Sequence, residues 1–205
     1  MTRSRTIAAA LFVTLVTAAG CGAFSRSAEA PAAGVSRGGV PSLRGVQVML
    51  LPVQSTRGVT GNVDAELADA LGARGGGVRW LMPPALRAML ARSPALDVQL
   101  DALPVGVFLQ AQVDRIGDPL YGQLRRLAAI SDGRLALIPV EVRHRPDAPD
   151  RPGAIEVVAT LLDTSNGQVF WFGVVEGDPG VGSDPRALAT AAEALARRLL
   201  PGSAG

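Results

Sequence analysis

Three consecutive apolar segments in the second half of the chain constrain its fold most. Arg134–His144, Ala154–Asp163 and Gln168–Glu176 are rich in β-branched and aromatic residues and have strand lengths. Thr164-Ser165-Asn166-Gly167 separates the second from the third, a hairpin signal because Asn-Gly accepts positive φ. The Pro- and Asp-rich loop Arg145–Gly153 joins the first to the second. Pro139, inside the first segment, has no N–H to give to a ladder, which predicts an edge position or a bulge. Ile155–Leu162 and Val169–Val175 carry apolar side chains at successive positions, with Phe170 and Phe172 expected opposite Trp171 and Val175. Both faces of this hairpin need cover. Helices supply one, and further helix or a partner supplies the other.

The remaining elements follow from periodicity and caps. Val46–Val53, VQVMLLPV, reads as a buried strand. Asn62 is placed to cap a helix with Val63, Leu67, Ala70 and Leu71 on its apolar stripe. After the glycine-rich break Ala73–Gly77, Val78, Trp80 and Leu81 form a short extended segment. Pro83 and Pro84 then open a helix with Leu86, Met89 and Leu90 on one face, closed by Ser93 and Pro94. Between 95 and 117, Val105, Phe108, Leu109, Val113 and Ile116 fit a helix as well as a mixture of strand and turn, and we read helix for part of it. Asp118-Pro119 reads as the N-cap and first position of a helix carrying Leu120, Leu124, Leu127 and Ala128. Asp184 caps and Pro185 opens a final helix with Leu188, Ala192, Leu195 and Leu199 on its stripe, stopped by Pro201. This order predicts an α+β fold: a mixed, mainly antiparallel sheet with amphipathic helices packed on it and a C-terminal helix.

At the other end, Arg3 and Arg5 precede Thr6–Cys21, TIAAALFVTLVTAAGC, whose apolar run of about fourteen residues is shorter than a bilayer span. It reads as a secretory signal. The run ends on the chain's only cysteine. The sequence A-A-G-C over residues 18–21 resembles the lipobox of bacterial lipoproteins, with Ala18 where that family usually has leucine. The resemblance implies cleavage between Gly20 and Cys21 and a lipid on Cys21. Ordinary cleavage at the same bond would leave a free thiol, and an unpaired cysteine in an exported chain favours modification. Gly22 and Ala23 offer no aspartate of the kind that marks inner-membrane retention in those lipoproteins. The expected location is therefore the periplasmic face of an outer membrane, where the organism has one. The expected plan is a signal peptide over 1–20, a lipidated cysteine with a flexible tether over 21–44, one globular domain over 45–201 and a tail over 202–205.

Charge and composition exclude several function classes. The chain has 20 basic and 18 acidic residues, and removing residues 1–20 takes away Arg3 and Arg5 and no acid, which leaves 18 of each. A neutral mature chain gives no reason to expect nucleic acid as a partner. Every basic residue is Arg, which excludes a P-loop lysine, a Schiff-base lysine and a Ser-Lys dyad. A G-x-S-x-G occurs at Gly34–Gly38 around Ser36, but without the strand and helix that a nucleophile elbow needs. The single histidine, His144, reads as a solvated strand end. Glu176, Asp178 and Asp184 lack EF-hand spacing and read as cap and turn residues. Asp97, Asp101, Asp114 and Asp118 show no paired-carboxylate geometry, and aromatic residues are too few for a stacking platform. We expect no catalytic residue, no cofactor and no metal. The site residues that remain are Cys21 for lipidation and the Gly20–Cys21 bond for cleavage.

The strand ending LLPV, the hairpin LLDTSNGQVFWFG with Asp163, Gly167 and Trp171, and the closing amphipathic helix are similar to the domain shared by envelope proteins of the CsgG, LpoB and TolB N-terminal type. The resemblance spans about residues 46 to 200 and implies an assembly factor, an activator of envelope enzymes or a component of a secretion channel. The first expectation is a non-catalytic lipoprotein anchored in the membrane through Cys21, whose domain binds another envelope protein. The alternative is a homo-oligomeric subunit of a secretion or pore complex. A hydrolase using Asp or Ser comes last, and only a deep pocket with Asp side chains converging around Asp114 and Asp118 would revive it.

Overall fold

The computed structural model describes residues 32, 34–110 and 113–202, so the signal segment, Gly20 and Cys21 lie outside the described residues. The elements are β1 (Ser36–Gly38), β2 (Gln47–Leu50), β3 (Thr56–Arg57), α1 (Val63–Arg74), β4 (Arg79–Leu81), α2 (Pro83–Ala91), α3 (Val107–Gln110), α4 (Leu120–Ser131), β5 (Leu135–Arg145), β6 (Ala154–Asp163), β7 (Val169–Pro179) and α5 (Pro185–Leu199). The strands form one mixed sheet in the order β1-β7-β6-β5-β2-β4, with β3 also paired to β5. β5, β6 and β7 are antiparallel, β2 runs parallel to β4 and β5, and β3 runs parallel to β5. The fold is α+β.

Local chemistry explains most boundaries. Asn62 Oδ1 accepts from Ala65 N at 3.2 Å, and Asp184 Oδ1 accepts from Arg186 N at 2.9 Å, so both caps form. Asp118 serves the first turn of α4 from one residue further out than expected: Pro119 holds the cap position, and Asp118 Oδ1 accepts from Gly122 N at 2.9 Å. The β6–β7 turn closes on Asp163, whose carbonyl accepts from Gly167 N at 2.9 Å while its carboxylate takes the Ser165 N–H at 2.7 Å. Gly167 has φ 74°, and a Cβ there would meet the Ile116 carbonyl oxygen at 3.0 Å. Between 95 and 117 the only helix among the described residues is the single turn of α3, which buries Phe108 and leaves Val107 exposed, while Leu100, Leu103, Val105 and Ile116 are buried from irregular backbone.

Two bulges control which side chains share a face. The register of β5 against β6 shifts between Pro139 and Glu141. Because β5 is interior, with β6 on one side and β2 and β3 on the other, the proline is accommodated by a bulge and not by an edge. Ala136, Ile138 and Val140 face one way, and beyond the shift Val142 joins the opposite cluster. A second shift in β6–β7 pairs Leu161 with Trp171 and Leu162 with Val169, leaving Phe170 extra. Phe170 therefore packs on the same side as Trp171 and Val175, against the simple alternation expected, while Phe172 lies on the other side and stacks on Phe108 with ring centroids 6.2 Å apart.

Helices of the chain cover both faces. Leu67 and Leu71 of α1 and Leu188, Leu195 and Leu199 of α5 pack against Val48, Leu50, Leu137, Val157, Leu161 and Trp171. On the opposite face, Leu86 of α2, Phe108 of α3, and Leu124 and Leu127 of α4 pack against Met49, Leu51, Ile138, Val158 and Leu162. The two-sided hairpin is thus satisfied by helix within the domain.

Candidate functional site

The N-terminal boundary of the folded part lies earlier than residue 45. Ser36, Arg37 and Gly38, read from sequence as tether, form an edge strand antiparallel to Gly173, Phe172 and Trp171. Gly34 N donates to Val174 O at 3.1 Å, and Val174 N donates to Val35 O at 2.9 Å. Leu43 is buried in the same cluster as Trp171. Gly38 permits the approach: a Cβ there would lie 2.0 Å from the Phe170 carbonyl oxygen.

Ser36 does not form a nucleophile elbow. Its Oγ accepts from the Trp171 indole Nε1 at 2.9 Å and from Arg198 Nη2 at 2.6 Å, which pins β1 to β7 and to α5. A fully buried indole needs one acceptor for its N–H. His144 is likewise engaged elsewhere, its Nε2 lying 3.1 Å from the Gly180 carbonyl oxygen. The carboxylates named from sequence do not converge. Asp184 caps α5, Asp118 bonds the first turn of α4, and Glu176 pairs with Arg145 and Arg151. Asp101 takes Arg87 Nη2 at 2.5 Å, a bond that raises the arginine pKa further above its ordinary value. The cavity beside Asp114 is about 40 Å³, and Asp118 is not part of its wall. Among the described residues no three His, Cys, Asp or Glu side chains are grouped to hold a metal ion.

An arginine–glutamate ladder across the sheet escaped sequence reading. Arg57 Nη2 meets Glu141 Oε1 at 2.6 Å, and Arg143 Nη1 meets Glu141 Oε2 at 3.3 Å. Arg143 Nη2 meets Glu156 Oε2 at 2.8 Å, and Arg145 Nε meets Glu156 Oε1 at 3.0 Å. Arg145 Nη2 reaches Glu176 Oε1 at 3.2 Å, and Arg151 closes the series on the same carboxylate. The ladder ties β3, β5, β6, β7 and the β5–β6 loop together. The Glu141 and Glu156 side chains are only 1% and 2% exposed, and the flanking guanidiniums offset the cost of burying them. The sequence signal was Glu141-x-Arg143-x-Arg145, alternating charge on one strand with Glu156 on the next.

A shallow groove lies where the chain enters the fold. Gly34 lines it with Arg151, Glu176, Ala194, Arg197 and Arg198, enclosing about 570 Å³ between β7 and the last turns of α5. Arg197 and Arg198 are exposed, and Arg197 forms no ion pair among the described residues. A second groove of about 320 Å³ is bounded by residues 40–44, Arg74 and the end of α5, where Arg74 is paired with Glu193.

No family model matches the chain, and no curated protein matches it. Solved structures do align with it at low identity. One is the PelC L103M dodecamer from Paraburkholderia phytofirmans, with TM-score 0.40, 15% identity, and coverage of 81% of this chain and 96% of that one. Another is the LpoB C-terminal domain from Salmonella enterica, with TM-score 0.44, 12% identity, and coverage of 67% and 86%. A third is lipoprotein GNA1162 from Neisseria meningitidis, with TM-score 0.40, 12% identity, and coverage of 77% and 98%.

Proposed function

We propose that the chain is a membrane-anchored lipoprotein of the bacterial envelope whose α+β domain is a non-catalytic assembly or accessory module for another envelope protein. The observation that carries this reading is the charged start and short apolar run ending in A-A-G-C at the lone Cys21. It is supported by the structural employment of the polar side chains with catalytic potential: Ser36 pins Trp171, His144 bonds a carbonyl, and Asp118 and Asp184 serve helix starts. No helix among the described residues is long and apolar enough to cross a membrane, so on this reading the lipid is the anchor. The proposed plan keeps 1–20 as signal and Cys21 as the acylated residue, with the folded domain beginning at the β1 segment.

The test is Cys21→Ala. Expression in a bacterial envelope should move the protein out of the membrane fraction and abolish metabolic labelling with a fatty acid. An unchanged membrane pool that still carries label sinks the reading. The oligomeric alternative rests on the family resemblance and on the two-sided hairpin, and the chain's own helices cover both faces of that hairpin. Size analysis of detergent-extracted protein decides it: a ring elutes at a multiple of the chain mass, and a single module does not.

A further inference from the structure

We infer that the arginine-lined groove beside Gly34 is a docking surface for an anionic phospholipid membrane, an inference that rests on Cys21 carrying the anchor. Two independent observations meet there. The first is charge. Arg151, Arg197 and Arg198 line the groove against one carboxylate, Glu176, which is already held by Arg145 and Arg151. Arg197 and Arg198 are exposed on the last turn of α5, and Arg198 is steadied by its bond to Ser36 Oγ at 2.6 Å. Guanidinium groups match phosphate oxygens in pairs, and the weak hydration of guanidinium suits a headgroup layer.

The second is chain length. Gly34, where the N-terminal segment joins the sheet edge, is part of the groove wall. It lies thirteen residues after Cys21 in the sequence. Thirteen residues reach at most about 45 Å along any path. An acyl group on Cys21 would therefore keep this groove within about 45 Å of a bilayer. Tethering raises the effective concentration of the surface to the millimolar range, so millimolar affinity suffices, and the untethered protein is therefore tested at millimolar lipid. Each arginine near an anionic bilayer contributes about a fivefold gain in partitioning, and the gain falls with salt.

The test uses residues 21–205 with Cys21→Ser, which retain every described element and carry no lipid, so the result does not depend on whether Cys21 is modified in cells. The protein is sedimented with vesicles of phosphatidylcholine alone and with vesicles containing equal parts phosphatidylglycerol, at low and raised salt. We expect pelleting with the anionic vesicles only, weakening as salt rises. Arg197→Gln with Arg198→Gln should lower partitioning about 25-fold. Arg125→Gln with Arg126→Gln, the same change in charge on the exposed face of α4, should shift it less than about twofold. Circular dichroism melts establish that both variants fold. Equal binding to the two vesicle types, unchanged binding by the Arg197/Arg198 variant, or an equal loss in the α4 variant overturns the inference. So does absence of vesicle binding combined with Arg197-dependent crosslinking to an acidic protein in cells. Loss of lipid labelling with vesicle binding intact removes the anchor and leaves the groove. Labelling intact with no vesicle preference removes the groove and leaves the anchor.

Discussion

The two faces of the sheet solve burial differently. Under α1 and α5 the face is apolar from Val48 and Leu50 through Leu137, Val157 and Leu161 to Trp171, with the Trp171 N–H satisfied by Ser36. The opposite face begins the same way with Met49, Ile138, Val158 and Leu162 under α2 and α4. Beyond the bulge at Pro139–Glu141 it changes character, and Glu141, Arg143, Arg145 and Glu156 stay largely buried by neutralising one another. One face gains stability from area removed from water. The charged half of the other gains specificity of register, because a slip along β5 would strand a carboxylate without its guanidinium.

That difference sets an order of mutational effects. Trp171→Ala should destabilise the domain most, by about 3–5 kcal/mol in urea unfolding, since it opens a cavity in the apolar face. Glu156→Ala should cost about 3 kcal/mol by leaving Arg143 and Arg145 short of a partner. Arg143→Met combined with Glu156→Leu should cost at least about 1 kcal/mol less than the two single changes added, and simple additivity would break the view of the ladder as a coupled unit. Ser36→Ala should cost about 1–2 kcal/mol, mostly through the orphaned indole N–H, and the cost should shrink to the exposed Arg198 bond alone when Trp171→Phe is already present. Arg57→Ala, at the exposed end of the ladder with 69% of its side chain in solvent, should cost less than about 1 kcal/mol. A loss at Arg57 equal to that at Glu156 would mean that burial does not grade the ladder.

The hairpin, the caps at Asn62 and Asp184, and the stripe of α5 were legible because each is specified by residues within a few positions of one another. Features that depend on distant partners were not. Ser36–Gly38 sits in a segment of glycine and charge, and only its pairing with β7 gives it a strand conformation. Phe170 was placed on the wrong side of β7 because a bulge changes parity without any proline or glycine at that residue. The ladder escaped notice for the same reason, since the bulge after Pro139 decides which face Glu141 and Arg143 occupy. The segment 95–117 carries enough apolar side chains for a helix, yet its described buried residues join the cluster with Leu86, Leu124 and Leu127 from irregular backbone and the one turn of α3, a role without a period. The candidate groove is assembled from Gly34, Arg151 and Arg197, and no local motif announces such a combination.

The pin at Ser36 also orders the folding reaction in time. Its partners lie 135 residues away in Trp171 and 162 residues away in Arg198, almost the full span of the described chain. Contacts of such separation carry a large loop-closure entropy and form after local ones. If the chain emerges N-terminus first, the β1 segment waits without its sheet until β7 and α5 have followed it out. The first of the described strands is then the last to close, and truncation anywhere before Arg198 leaves the sheet edge at β7 without its full seal.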